Sequence, residues 1–531
     1  MKQINNENSH DISSNDNRIN KNQGFTLKLC IFTTGLAGIV AEYVMSTLAS
    51  YLLGNAVIQW TLTISLMLFA MGIGSRISKY VRLPLLDSFI ALEFILSLLC
   101  ALSAIVTYFL STYIQPIAPV IYIISISIGI LIGLEIPLAT RLNEHFAELR
   151  INISSVMEKD YFGALFGGLL FAFVALPYLG MTYTPIILGF LNFSVAATLF
   201  ISSRKILKFK RVLTLASLIT PLFLTTLLFI AEPIIIYGEQ SKYVDRIIYE
   251  EQTTYQKIIL TKWRDNYWLY LDGNEQFSSY DEERYHEPLV HPSMILTASH
   301  ERVLILGGGD GLAAREVLKY PDLKEIKIVD IDPSMTRLGK ENSILLKLNN
   351  NSLNDSRVSI INEDAYTFLK DNNILYGVII IDLPDPKTLA IARLYSLQFY
   401  RLAVRNLIRG GILITQATSP FFSKKAFLSI LKTMQSINIP AIAYHTHIPT
   451  MGEWGWVLGM NAPSIKTTSL KKRLSSMDYG NIETRFINKE AMVSMLNFGK
   501  GDLDGIDKIT KNDEFDLSLY NYYRKGTWDI Y

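Results

Sequence analysis

The chain has 531 residues, half of them hydrophobic, with 50 Lys and Arg against 48 Asp and Glu, a formal net charge of +2. That is more than one ordinary soluble domain, and so small a charge, with no basic stripe interleaved with aromatics, excludes nucleic acid as a partner. Only Cys30 and Cys100 occur, both inside apolar runs, which excludes a disulfide framework and a cysteine zinc site.

Residues 1–25 are asparagine, serine and charge with almost nothing to bury, and are expected to form a disordered polar tail. From Phe25 the chain changes character. Apolar runs of roughly twenty residues, about the length of helix a bilayer core takes, occur at 27–49, 57–76, 87–110, 116–137, 161–179, 183–202 and 212–232. They predict a transmembrane domain of about seven helices over 26–235. Seven consecutive runs with so little charge make buried soluble helices a poor alternative. The first run is too long, and follows too polar a tail, for a cleavable signal peptide.

Arg76, Lys79 and Arg82 follow the second run, and Arg204, Lys205, Lys208, Lys210 and Arg211 separate the sixth from the seventh. The loops after the first, third and fifth runs carry essentially no Lys or Arg. This asymmetry assigns the N-terminus to the cytoplasm, and seven strict crossings would then export the second half. Glu42, Glu93 and Glu135 stand in apolar surroundings, where a carboxylate is costly and is a functional candidate by default. The plainer alternative is a place near an interface, or a hydrogen bond to a neighbouring helix; it is strongest for Glu93, near the start of its run. Gly163, Gly167 and Gly168 suit close helix packing.

Over about 240–285 apolar and polar residues alternate, with turn residues at Arg264, Asp265 and Asn266 and at Asp272, Gly273 and Asn274, which predicts a small antiparallel β-domain within 236–300. Between 301 and 465, strands expected at 303–306, 326–329, 358–361, 378–381 and 411–415 alternate with helical stretches. That is a mostly parallel, doubly wound sheet, whose ligands lie beyond the carboxyl ends of its strands. Residues 466–531 are a C-terminal extension.

The first of these strands runs into Gly307, Gly308, Gly309, Asp310 and Gly311, and the second ends at Asp330, Ile331, Asp332 and Pro333. Strand, glycine turn, helix, strand and acid is the layout of a nucleoside-binding unit. The glycines let backbone approach the ligand, and the terminal acid can accept hydrogen bonds from ribose hydroxyls. Asp310 is a poor choice for holding a pyrophosphate and suits a cation instead. Asp310, Asp330, Asp364 and Asp382 all fall at strand ends. Each alone would read as a helix cap or strand terminus; four together make an acidic cleft. His286, His291 and His300 match no common metal spacing, and no metal site is expected.

Segments 267–276, 280–292, 302–311, 326–333, 363–366, 378–386 and 394–400, in this order and spacing, resemble the spermidine synthase (polyamine aminopropyltransferase) family over roughly 240–465. The hydrophobic first half resembles that family's membrane-embedded bacterial branch. The resemblance implies a multi-pass α-helical membrane domain, then a small antiparallel β-domain and a Rossmann-like α/β nucleoside-binding domain. It implies transfer of an aminopropyl group from decarboxylated S-adenosylmethionine to putrescine, giving spermidine and methylthioadenosine, with no cofactor.

A sulfonium donor needs no acid to help its leaving group. The acceptor amine, with an unperturbed pKa of about 10, cannot attack while protonated; one carboxylate must take its proton and another must hold its distal ammonium. Asp382, in a stretch that matches the family's Asp-x-x-Asp-Pro, is the implied proton acceptor, with Tyr285 in support. His286, Asp310 and Asp385 are implied on the polyamine side, and Gln256, Leu271, Gln276, Asp330, Asp364 and Ala365 around the nucleoside. Asp310 also argues against methyl transfer, because intact S-adenosylmethionine carries a carboxylate that an aspartate repels.

The chain departs from the soluble pattern in three places. Leu383 and Pro384 stand where relatives often have Ser or Thr, Met451 stands where soluble relatives place a tyrosine after Pro449 and Thr450, and the run from Tyr522 to Trp528 looks like the membrane branch's own ending. The acceptor is therefore less defined than the donor. Two other readings stay open: a related transferase using S-adenosylmethionine or another amine, and a polyamine transporter or sensor with a synthase-like binding half, which Glu42 and Glu135 keep in play. The expected partners are small-molecule substrates and a lipid bilayer, with self-association left open. An intracellular donor and the lack of a disulfide favour a cytoplasmic catalytic half. One run, most naturally the seventh with its Pro221 and Pro233, would then fail to cross.

Overall fold

The computed structural model describes residues 21–53, 56–82, 84–114, 116–143 and 149–527. The chain divides after Val244 into two compact units. Most of the expected tail lies outside the described residues, but its end at 21–25 is helical, because the first helix begins earlier than its apolar run.

The first unit is all helix: α1 (Lys21–Leu53), α2 (Ala56–Ser78), α3 (Leu85–Ser111), α4 (Ala118–Asn143), α5 (Leu149–Leu170), α6 (Gly180–Ser203) and α7 (Lys210–Gln240), with a π-helical stretch at Phe171–Leu179 joining α5 to α6. Six helical stretches are long and apolar enough to cross a membrane by length and composition, the fifth being 54 residues from Arg150 to Ser203. A straight helix of that length would measure about 80 Å. Gly180, at φ 61°, breaks it into two arms.

Side-chain contacts give the helix directions. Gly163 of α5 meets Phe32 and Leu36 of α1, and Gly167 meets Leu36 and Ile39, so these two helices run parallel. Gln59 bonds Tyr122 and Arg141 reaches the Ser78 carbonyl, so α2 and α4 run parallel. Gly189 packs on Ser97 while Phe193 meets Phe94, so α6 opposes α3. Asp87 accepts from the backbone N–H of Phe209 while Gly238 packs on Tyr108, so α7 follows α3. The seven segments therefore alternate in direction, and the chain leaves the bundle at the end opposite the start of α1. The expected irregularity of the seventh run is not found. Helix α7 is continuous through Pro221 and Pro233, and the irregular segment is the π-helical stretch around Pro177.

Glu42, Glu93 and Glu135 are all buried in this bundle. Glu93 lies two turns inside α3 and is wholly buried. Among the described residues neither of its carboxylate oxygens has a hydrogen-bond partner.

The second unit opens with four antiparallel strands in sequential order, β1 (Arg246–Gln252), β2 (Lys257–Trp263), β3 (Asn266–Leu271) and β4 (Asn274–Ser278). Their tight turns use left-handed residues, Asp272 and Gly273 at φ 49° and 74° between β3 and β4, as two-residue hairpins require. Helix α8 (Glu283–Leu296) follows. The larger sheet comprises β5 (Arg302–Gly307), β6 (Glu325–Val329), β7 (Val358–Ile361), β8 (Tyr376–Asp382), β9 (Leu407–Gln416), β10 (Ala441–Ile448) and β11 (Gly452–Met460). Its order is β10-β11-β9-β8-β5-β6-β7; strands β5 to β9 are parallel, and β10 and β11 add an antiparallel edge.

Val303 to Leu306 and Val378 to Ile381 are fully buried, as central strands covered on both faces must be. The C-terminal extension is not a separate piece. Leu470, Leu474 and Met492 join the core on one face of the sheet, and Leu519 and Tyr523 join the core on the other.

Candidate active site

Strand order places the chemistry. β5 and β8 pair in parallel with Gly307 opposite Asp382, so the glycine turn and Asp382 end side by side at the carboxyl edge of the sheet. Gly307, Gly308 and Gly311 all have positive φ. A side chain at Gly309 would lie 2.7 Å from Oδ2 of Asp330, so glycine is what lets that carboxylate close over the loop. One cavity is lined there by Gln256, Leu271, Gln276, Tyr285, His286, Asp310, Asp330, Asp364, Ala365 and Asp382. Ten of the eleven residues expected at the site thus share it; Asp385 does not line it.

Each acid is held in a defined orientation. Asp330 accepts from the N–H of Gly309 (3.2 Å) and of Asp332 (2.9 Å). Asp310 accepts from the N–H of Leu312 at 2.8 Å. Asp364 caps the following helix (Ala365–Asp371) through the N–H of Thr367, so capping and lining the cavity are not exclusive. The Tyr285 hydroxyl donates to Oδ1 of Asp382 at 2.8 Å. Gln256 donates to Oδ2 of Asp332 at 3.0 Å, and Asp332 itself caps the helix Pro333–Glu341.

Burial dominates the electrostatics. It pushes Asp382 up to about 6 against the lowering pull of the neighbouring His286, and pushes Asp330 up to about 6. Asp310 and Asp385 are raised for the same reason. Burial alone would lower His286, but its bond to Glu282 and the nearby Asp310 and Asp382 raise it to about 9. The imidazole is therefore a cation at neutral pH. Glu282, although buried, is held at about 2 by His286 and Arg315. Tyr285, buried beside Asp382, stays well above the ordinary phenol range and remains a donor.

Several functional groups were missed. Glu282 accepts from Nδ1 of His286 (3.0 Å), from Arg315 (2.9 Å) and from Arg485 (2.7 Å); it lies in the segment 280–292, but nothing local marks it as a hub. Asp385 is flanked by Gln416 (Nε2 to Oδ1, 3.2 Å) and Tyr523 (hydroxyl to Oδ2, 2.8 Å). Tyr395 donates to the carbonyls of Leu383 and Pro384 at 3.0 and 3.1 Å, so the stretch between the two aspartates is anchored through backbone, without side-chain hydroxyls. Among the described residues no group of His, Cys, Asp and Glu has the arrangement of a metal site.

A family profile for the spermine/spermidine synthase domain matches residues 282–472. Polyamine aminopropyltransferase 2 of Aquifex aeolicus is 45% identical over 478 residues, 89% of this chain and 94% of its own length. The polyamine aminopropyltransferase of Oceanobacillus iheyensis is 37% identical over 512 residues, 95% of this chain and 98% of its own. The solved spermidine synthase of Thermotoga maritima is 24% identical, with a TM-score of 0.43, over 49% of this chain and 87% of its own.

Proposed function

The chain belongs to the polyamine aminopropyltransferase family, and from that premise we propose that it transfers an aminopropyl group from decarboxylated S-adenosylmethionine to putrescine. The products are spermidine and methylthioadenosine. The observation that carries the residue assignment is the Asp382 carboxylate, oriented by the Tyr285 phenol at 2.8 Å and facing a cavity with three more acids.

The amine nitrogen attacks the donor methylene bonded to the sulfonium. A C–N bond forms, the C–S bond breaks, and its electron pair leaves on sulfur as a neutral thioether. The amine proton passes to Asp382. Asp330 receives the ribose hydroxyls, and Gln256, Leu271, Gln276, Asp364 and Ala365 surround the nucleoside. Asp310 receives the donor's ammonium. His286 supplies a fixed cation that keeps Asp310 and Asp382 ionised before the cationic substrates arrive, and Asp385 receives the distal ammonium of the acceptor. No cofactor is needed.

The helical unit holds the enzyme in a lipid bilayer. Phe69, Ile201, Leu222 and Phe229 turn apolar side chains outward along its helices, as a lipid-facing surface requires.

The test is the detergent-purified chain with decarboxylated S-adenosylmethionine and a panel of amines. Methylthioadenosine and spermidine should form in equal amounts, fastest with putrescine. Formation of S-adenosylhomocysteine from the intact nucleoside would replace this reading with methyl transfer. Amine binding without product would leave a sensor or transporter.

A further inference from the structure

The ending that sequence comparison leaves without a role reaches the acceptor side of the site. Helix Ser518–Arg524 packs its Leu519 and Tyr523 into the core beneath the sheet. This carries the Tyr523 hydroxyl to within 2.8 Å of Oδ2 of Asp385, while Gln416 bonds the other oxygen. Tyr523 is 6% exposed, so the bond is shielded from solvent. The Lys387 ammonium lies over the same ring, 6.0 Å from its centre, and within electrostatic reach of Asp385. Asp385 thus already has an ammonium in its surroundings, the species an acceptor amine would present.

The position answers two departures in the chain. Leu383 and Pro384 offer no hydroxyl beside the aspartates, and Met451, on the turn between β10 and β11, offers no phenol. We propose that Tyr523 is an acceptor-positioning residue: with Gln416 it fixes the Asp385 carboxylate at the point where the distal ammonium of the amine docks. A charge-assisted bond of this kind does two things. It holds one rotamer of Asp385, and it favours the ionised form of a carboxyl that burial would otherwise protonate. The C-terminal tail is in this account part of the acceptor site.

The inference rests on the reading of Asp385 as the distal-ammonium acceptor, and the test separates the two. Tyr523→Phe keeps the buried ring and removes only the hydroxyl. Steady-state kinetics should show the KM for putrescine raised about tenfold, as expected for loss of a hydrogen bond to a charged group, with kcat and the KM for the donor changed less than about twofold. Asp385→Asn should raise the putrescine KM at least as much, and the double variant no more than Asp385→Asn alone. A normal putrescine KM in Tyr523→Phe beside a raised one in Asp385→Asn would overturn the role of the tail while leaving Asp385 in place. A normal putrescine KM in Asp385→Asn would remove the underlying reading. A parallel fall in kcat and rise in both KM values, with a lowered Tm, would mean that Tyr523 only packs.

Discussion

Replacing Glu282 by Gln perturbs the base without touching it. Glu282 sits at the N-terminus of α8, and its Oε2 accepts from Nδ1 of His286 at 3.0 Å. Of the groups that raise that imidazole to about 9, Glu282 acts most strongly. In Glu282→Gln the bond to a charge is gone and only Asp310 and Asp382 are left to oppose burial, so the His286 imidazole loses positive charge at pH 7.5. Asp382 then loses some of the charge that opposes its own burial. An opposite charge nearby lowers a carboxyl, so weakening it should push Asp382 further up, above about 6.

The consequence is readable in the rate. At pH 7.5 a base with a pKa of about 6 is almost wholly ionised, and a rise of about two units would leave roughly a quarter of it ionised, a loss of about fourfold. The sign follows from the role: a proton acceptor works in its ionised form, so activity falls as pH falls through the pKa. The wild type should show its acidic limb of kcat/KM near 6 and the variant should show it displaced to higher pH, with most activity recovered at pH 9. Arg315 keeps its bonds to Glu316 and the Leu348 carbonyl, and Arg485 is largely exposed, so the fold tolerates the change. An unmoved acidic limb, with activity lowered equally at every pH, would refute the argument.

Two further predictions follow from the site and the bundle. Asp310→Asn should narrow the preference for decarboxylated over intact S-adenosylmethionine, measured by calorimetric titration of both, because it removes repulsion of the carboxylate; equal affinities in the wild type would contradict aminopropyl transfer. Seven alternating segments, with basic loops at the end where α1 begins, predict that the second unit faces away from the cytoplasm. A cysteine at exposed Ser476 or Ser494 should then react with a membrane-impermeant thiol reagent on intact cells; Ser278 and Ser419 are buried and unsuitable. Labelling only after lysis would place the unit in the cytoplasm, where its donor is made, and would break the charge rule here.

The sheet and most of the cavity were legible in the chain because their signals are local. The glycines at Gly307 to Gly311 and the acids at Asp330, Asp364 and Asp382 each stand within a few residues of a strand end, and parallel pairing brings those ends together. The groups that orient them were not legible. Asp385 is bonded by residues 31 and 138 positions away, and Glu282 by Arg485, 203 positions away; no periodicity or spacing reports such contacts. Prolines misled in α7, which runs unbroken through Pro221 and Pro233, as a helix in an apolar surrounding can. Hydropathy also could not say that Glu93 lies on the packed face of α3, since it reads composition and not which face meets a neighbour.

In the proposed mechanism Asp382 takes the amine proton. Asn at this position keeps an oxygen for the Tyr285 hydroxyl, 2.8 Å away in the native site, and removes only the charge. Single-turnover formation of methylthioadenosine should fall about 10²–10⁴-fold in Asp382→Asn, equivalent to roughly 3–5 kcal/mol of transition-state stabilisation, while titration shows donor affinity within about threefold of wild type. A single-turnover rate near that of the wild type would contradict it.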